Sequence, residues 1–169
     1  MIIWLTGLPC SGKTTIAREL KRRLTGSLGD IECGRVCELL DGDDLRNSDF
    51  ASTAGFSPEA RRDHLLRVGY MAKRLAKHAP YVVCAFVSPA ESVRQTLPID
   101  LLVHVDCSRE VCEARDVKGM WRRAREGQIK GFTGLDAPYE PPSDALVVHT
   151  DRSTVTECVE TILRAIHTG

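Results

Sequence analysis

The stretch Gly7-Leu8-Pro9-Cys10-Ser11-Gly12-Lys13-Thr14 satisfies the pattern G-x-x-x-x-G-K-[ST] at every defined position. Ahead of it, Ile2 to Thr6 is a nearly continuous apolar run, the pattern of a strand covered on both faces. Behind it, Ile16, Ala17, Leu20 and Leu24 recur at helical spacing with basic residues between them, which predicts an amphipathic helix. Strand, glycine loop and helix is the context the motif needs. Glycines at 7 and 12 let the backbone curl so that successive N–H groups point inward at phosphate oxygens, and the helix adds its positive end. Gly7, Leu8, Pro9, Cys10, Ser11, Gly12, Lys13, Thr14 and Thr15 therefore form a candidate cradle for the phosphates of ATP. Lys13 is placed to reach the β and γ phosphates, and Thr14 to put its hydroxyl on Mg²⁺, which prefers oxygen ligands.

Working outward, Arg35 to Leu40 reads as a second strand, Tyr81 to Val87 as a third, Leu101 to Val105 as a fourth and Ala145 to Thr150 as a last one. Helices are predicted from Ser57 to Lys77, from about Arg109 to Arg115 and from Thr154 to His167; Ser57, Pro58 and Glu59 supply an N-cap, an N1 proline and a first-turn acid. Strands alternating with helices imply an α/β chain with the three-layer α/β/α arrangement of P-loop NTPases and a mainly parallel sheet. Residues 116–142 carry basic residues, four glycines and three prolines around few core-type apolar positions. They are expected to form a mobile lid on a single kinase domain spanning residues 1–169.

Length and composition narrow the partners. A chain of 169 residues supports one core rather than two. Its 23 basic and 23 acidic residues argue against nucleic acid or an anionic membrane as the main partner. Neither a long apolar run nor a secretory leader is recognisable, which predicts a soluble cytoplasmic protein. The seven cysteines are scattered and lack paired C-x-x-C clusters, so they read as reduced thiols rather than a disulfide scaffold or zinc site.

Leu40-Asp41-Gly42-Asp43-Asp44-Leu45-Arg46 sets carboxylates at the carboxyl end of a predicted strand, where parallel α/β sheets bind ligands. A carboxylate there suits orienting an acceptor hydroxyl and taking its proton, and Arg46 suits an anionic group on the acceptor. A solvated acidic turn has the same composition.

With these pieces in view, the chain resembles the adenylylsulfate kinase family from Ile3 to the last strand. The shared residues are the loop Gly7 to Thr14, Leu40-Asp41-Gly42-Asp43 with Arg46, Gly55-Phe56-Ser57 with Arg61 and Arg67, Ser88-Pro89, and Arg115-Asp116-Val117-Lys118-Gly119. The longest is Lys130-Gly131-Phe132-Thr133-Gly134-Leu135-Asp136, continuing to Pro138-Tyr139-Glu140. The resemblance implies transfer from ATP to the 3′-hydroxyl of adenylyl sulfate, with Asp43 as base, Arg115 among the nucleotide contacts, and Phe56 and Phe132 sandwiching the acceptor's adenine. It implies acceptor contacts at Asp41, Arg46, Arg61, His64, Ser88, Pro89, Lys118, Lys130, Gly131 and Thr133, and a homodimer. Ser88 matches a position described in the family as a phosphoserine intermediate, but direct in-line transfer needs no such step, and contact with the acceptor is the simpler role.

Departures fall on the acceptor side: Asp44 and His64 stand where the family has Asn, and Ala90-Glu91 where it has an aromatic or His followed by Arg. They make that side more acidic. A related kinase acting on another nucleotide-linked acceptor, such as a cytidine diphosphoramidate, and a non-catalytic nucleotide-binding regulator therefore stay open at this level.

Overall fold

A computed structural model describes residues 1–27, 37–46 and 57–168. Five strands, β1 (Ile2–Thr6), β2 (Cys37–Asp41), β3 (Tyr81–Ala85), β4 (Leu101–Asp106) and β5 (Leu146–His149), pair in the order β2-β3-β1-β4-β5, every pair parallel. The first strand is thus the middle one, and its apolar run is explained by cover on both sides. Alternate residues of a strand point to opposite faces. Ile3 and Leu5, with Val83, Val103 and Val105, pack against α1 (Lys13–Ser27) and α7 (Val155–Thr168). Ile2 and Trp4, with Val82 and Cys84, pack against Leu65, Val68 and Ala72 of α3 (Pro58–Leu75). The result is the three-layer architecture the sequence predicts.

Local chemistry sets the element ends. The Ser57 hydroxyl caps α3 by accepting from the Ala60 N–H at 3.2 Å, with Pro58 as first helical residue. The acidic stretch after β2 is not merely a turn: Asp41 Oδ1 accepts the Asp43 N–H at 2.8 Å, and α2 (Gly42–Arg46) starts there. Two other short helices escaped the periodicity argument, α4 (Glu91–Arg94) and α6 (Met120–Arg125); α5 (Arg109–Ala114) did not.

Residues 116–142 hold more core than their composition suggested. Trp121, Ala124, Ile129 and Phe132 are buried with Cys107 and Cys112 in a small apolar cluster, and the Trp121 and Phe132 rings meet edge to face at 4.9 Å. No single period marks these residues, because a turn stapled by Asp136, whose carboxylate accepts the Gly131 and Phe132 N–H groups, delivers Phe132 to Trp121. Gly134 sits where a Cβ would lie 2.9 Å from both Leu8 and Trp121. Of the six described cysteines, all are free thiols and only Cys10 is not buried. No described helix is long and apolar enough to cross a membrane.

Leu5 has no solvent exposure, so Leu5→Ala should lower the free energy of unfolding by about 2–5 kcal/mol in denaturant titration, the range for a buried leucine. Val117→Ala, at a side chain 95% exposed, should stay within about 0.5 kcal/mol of the parent.

Candidate active site

The chain turns sharply at the end of β1. Gly7 has φ 155° and so little room that a Cβ would lie 2.4 Å from the Val105 carbonyl oxygen, which lets the backbone curl directly over the sheet edge. Lys13, 8% exposed, reaches back across the loop and donates to the carbonyls of Gly7 at 3.0 Å and Leu8 at 2.7 Å. Burial in this position pushes its ammonium down from 10.5 to about 8, because leaving water disfavours the charged form. Thr14 donates its hydroxyl to Asp41 Oδ2 at 2.7 Å, joining the loop to the end of β2. From the other side, the Thr150 hydroxyl donates to the Ser11 carbonyl at 2.7 Å.

A cleft of about 990 Å³ opens at the carboxyl ends of the strands. On the loop side its lining includes Pro9, Cys10, Gly12, Lys13, Thr14 and Thr15, with Arg115 nearby. Arg115 is held by the Thr150 carbonyl at 2.6 Å and hydroxyl at 3.2 Å. On the opposite side stand Asp41, Asp43, Arg61, His64, Ser88 and Pro89, with Lys118, Phe132 and Thr133. Asp43 and Lys118 meet at 2.5 Å, both about half exposed. Arg61 donates to the Thr133 hydroxyl at 2.8 Å and to the Gly131 carbonyl, so two segments distant in sequence converge. His64 meets the Phe86 ring edge-on, with centroids 6.0 Å apart.

Ser88 is buried and its hydroxyl accepts from the Trp4 indole N–H at 2.9 Å. Phe132 borders the cleft but is 3% exposed, much of its ring covered by Trp121. Gly7, Leu8 and Ser11 shape the loop from behind rather than lining the cleft, and Lys130 and Gly131 also lie off the lining. The Lys130 side chain is exposed because the chain turns inward only after it, at the Asp136 staple. Phe56 lies outside the described residues. Arg46 ends α2.

Two contributors went unnoticed in the sequence. Thr150 buttresses both the loop and Arg115, and its position just past β5, at a strand's carboxyl end, was the available signal. Arg94 is 2% exposed, and nothing in its four-residue helix marks it. The two acidic departures are placed differently, Asp44 on the cleft lining and Glu91 away from it. The Glu91 carboxylate is paired with Arg94 and off the cleft lining, and that of Asp44 lies 3.8 Å from Arg18.

The donor set fits a hard divalent cation held mainly by phosphate and water. Thr14 and Asp41 offer adjacent oxygens beside the loop, and a hydroxyl that donates its proton to Asp41 keeps its lone pairs for a cation. Among the described residues no cluster of His, Cys, Asp and Glu forms an all-protein metal site, as expected where phosphates complete the shell.

Comparison with known proteins converges on the same region. Residues 1–150 match the family model for adenylylsulphate kinase. Adenylyl-sulfate kinases of Clostridium kluyveri and Marinobacter nauticus are 42% and 41% identical over 169 residues, covering 96% of this chain and 81% of each relative. The solved structure of the Mycobacterium tuberculosis APS kinase CysC in complex with AMPPNP and APS superposes with a TM-score of 0.84 at 32% identity, covering 98% of this chain and 96% of that one. A gluconokinase from Sinorhizobium meliloti, 19% identical with a TM-score of 0.61, shares the fold alone. With a family match over most of its length and relatives that agree with it from end to end, the chain belongs to the adenylylsulfate kinase family.

Proposed function

We propose that this chain transfers the γ-phosphoryl group of ATP to the 3′-hydroxyl of adenylyl sulfate, giving 3′-phosphoadenylyl sulfate and ADP. One observation carries the reading: Asp43 faces a cleft one wall of which is the Lys13 loop and the other Arg61, Ser88, Pro89 and Phe132, within a chain of this family. ATP lies with its phosphates along the loop N–H groups and the first turn of α1. Lys13 leaves the Gly7 and Leu8 carbonyls for phosphate oxygens, while Arg115 and Thr150 border the nucleoside end. The acceptor lies between Asp43 and the Arg61–Thr133 pair, with Ser88 and Pro89 beneath it and Arg46 and Phe56 as further contacts.

In the transfer, the hydroxyl O–H bond breaks and its proton passes to the Asp43 carboxylate as the oxygen bonds to phosphorus. The bond from the γ phosphorus to the bridging oxygen breaks and ADP departs. Lys13, the loop amides and Lys118 offset the charge that gathers on the transferred group. Thr14 and Asp41 would hold Mg²⁺, which would neutralise phosphate charge. Residues 116–142 close over both ligands and exclude water. Of the two acidic departures Glu91 lies off the cleft lining and is paired with Arg94, and no observation favours the cytidine alternative or a non-catalytic regulator. A cytoplasmic homodimer completes the reading, and sedimentation equilibrium tests its assembly.

Turnover of a panel containing adenylyl sulfate and cytidine diphosphoramidate should show activity with the first; activity confined to the second overturns the reading. Asp43→Ala should reduce kcat by at least about a hundredfold, the lower range for loss of a general base, with the Kd for ATP nearly unchanged in calorimetry. The pH response has a definite sign. Lys13 is depressed to about 8, so it is charged below that pH and loses its proton above it. ATP affinity should therefore be insensitive to this group below pH 8 and should weaken above it, approaching about tenfold per pH unit. Lys13→Met should abolish that inflection. Hydrogen exchange across residues 116–142 should slow when ADP and adenylyl sulfate are added together, and unchanged exchange would remove the lid role.

A further inference from the structure

Ser88 sits in an unusual place for its backbone. Its φ is 44°, a left-handed conformation that residues with a Cβ rarely adopt, and it lies three residues past the end of β3 on the cleft lining. Something must hold it there. The Trp4 indole and the Thr6 hydroxyl reach it from β1, and Arg94 is its charged partner: one terminal nitrogen of the guanidinium donates to the Ser88 carbonyl at 2.6 Å, and the other donates to the Glu140 carbonyl at 2.6 Å and to the Glu91 carboxylate. Glu140 closes the circuit. Its N–H donates to the Pro89 carbonyl at 2.9 Å and its carboxylate accepts the Glu91 N–H at 2.6 Å.

The neighbour of Glu140 is anchored by independent contacts. The Tyr139 hydroxyl pairs with the Thr6 hydroxyl at 3.0 Å, its ring stacks on His104 at 5.7 Å, and the Arg94 guanidinium carbon lies 5.9 Å from the ring centre. The returning end of residues 116–142 is thereby tied to β1, β4 and the Ser88-Pro89 loop. Arg94 itself is 2% exposed and its Nε has no hydrogen-bond partner among the described residues. A buried guanidinium with one donor unmet is retained at a cost in stability, which makes a purely packing role a poor account of it.

We infer that Arg94 is a positioning residue for the acceptor half of the cleft: through the Ser88 and Glu140 carbonyls it fixes the Ser88-Pro89 loop against the returning end of the lid, without touching either substrate. This rests on the reading that Ser88 and Pro89 face the acceptor. It predicts an asymmetry. The nucleotide half is held by Thr150 and the α1 start, neither of which is among the hydrogen-bond partners of Arg94, so losing Arg94 should disturb one substrate and spare the other.

Arg94→Met keeps the volume and removes every hydrogen bond; Arg94→Lys keeps the charge but lacks the rigid fork. In the methionine variant the KM for adenylyl sulfate should rise on the order of tenfold, as for loss of a charge-assisted hydrogen bond, with the KM for ATP within about twofold, and the lysine variant should fall between the two. Amide exchange at Glu91 and Glu140 should accelerate while exchange at Thr14 to Ile16 stays unchanged. Equal changes in both KM values, or unchanged exchange at Glu91 and Glu140, overturn the inference. If the parent protein does not turn over adenylyl sulfate, the functional reading fails, and the exchange comparison alone then decides the role of Arg94. Should the methionine variant not fold, the lysine variant carries both measurements.

Discussion

The absence of space above Gly7 governs this molecule. The central strand is buried on both faces, and a side chain at its end would collide with the Val105 carbonyl. The chain can only curl tightly and enter α1. From that turn follow the inward amides, the back-folded Lys13 and the contact between Thr14 and Asp41, which fixes where the second strand must deliver its carboxylates. The catalytic region is thus assembled by steric exclusion at one glycine and one hydrogen bond between neighbouring strand ends.

Much of the fold was legible because its signals are local and periodic. The run from Ile2 to Thr6, the cap at Ser57 and the apolar face of α7 each announce themselves within a few residues, and the observed elements fall within one or two positions of the predicted ones where both are described. Of the short helices α2, α4 and α6 were not legible, since four to six residues hold too few positions to show a period, and they exist because tertiary contacts support them; α5, of similar length, was placed by its position after β4. Residues 116–142 misled for a related reason. Their apolar cluster is built across a stapled turn, so Trp121 and Phe132 look isolated in sequence and meet only in space.

The site divides in the same way. The loop residues could be read from a motif because one contiguous stretch does the work. On the opposite wall the carboxylates after β2 could be read from their strand-end position, but Arg61, Ser88 and Thr133 only by resemblance, since they come from three different segments. Charge read from sequence was half right: Asp44 does line the cleft, whereas Glu91 lies off it and pairs with Arg94. Thr150 and Arg94 escaped notice because they act on backbone carbonyls, for which side-chain type is a weak guide.

The protein contains two tryptophans, and their indole N–H groups are spent on opposite walls of the cleft. Trp4 donates to Ser88 and Trp121 to the Pro9 carbonyl at 3.3 Å. Intrinsic fluorescence therefore carries an emitter for each wall, and replacing either indole by phenylalanine would leave a protein whose emission reports on a single half of the site.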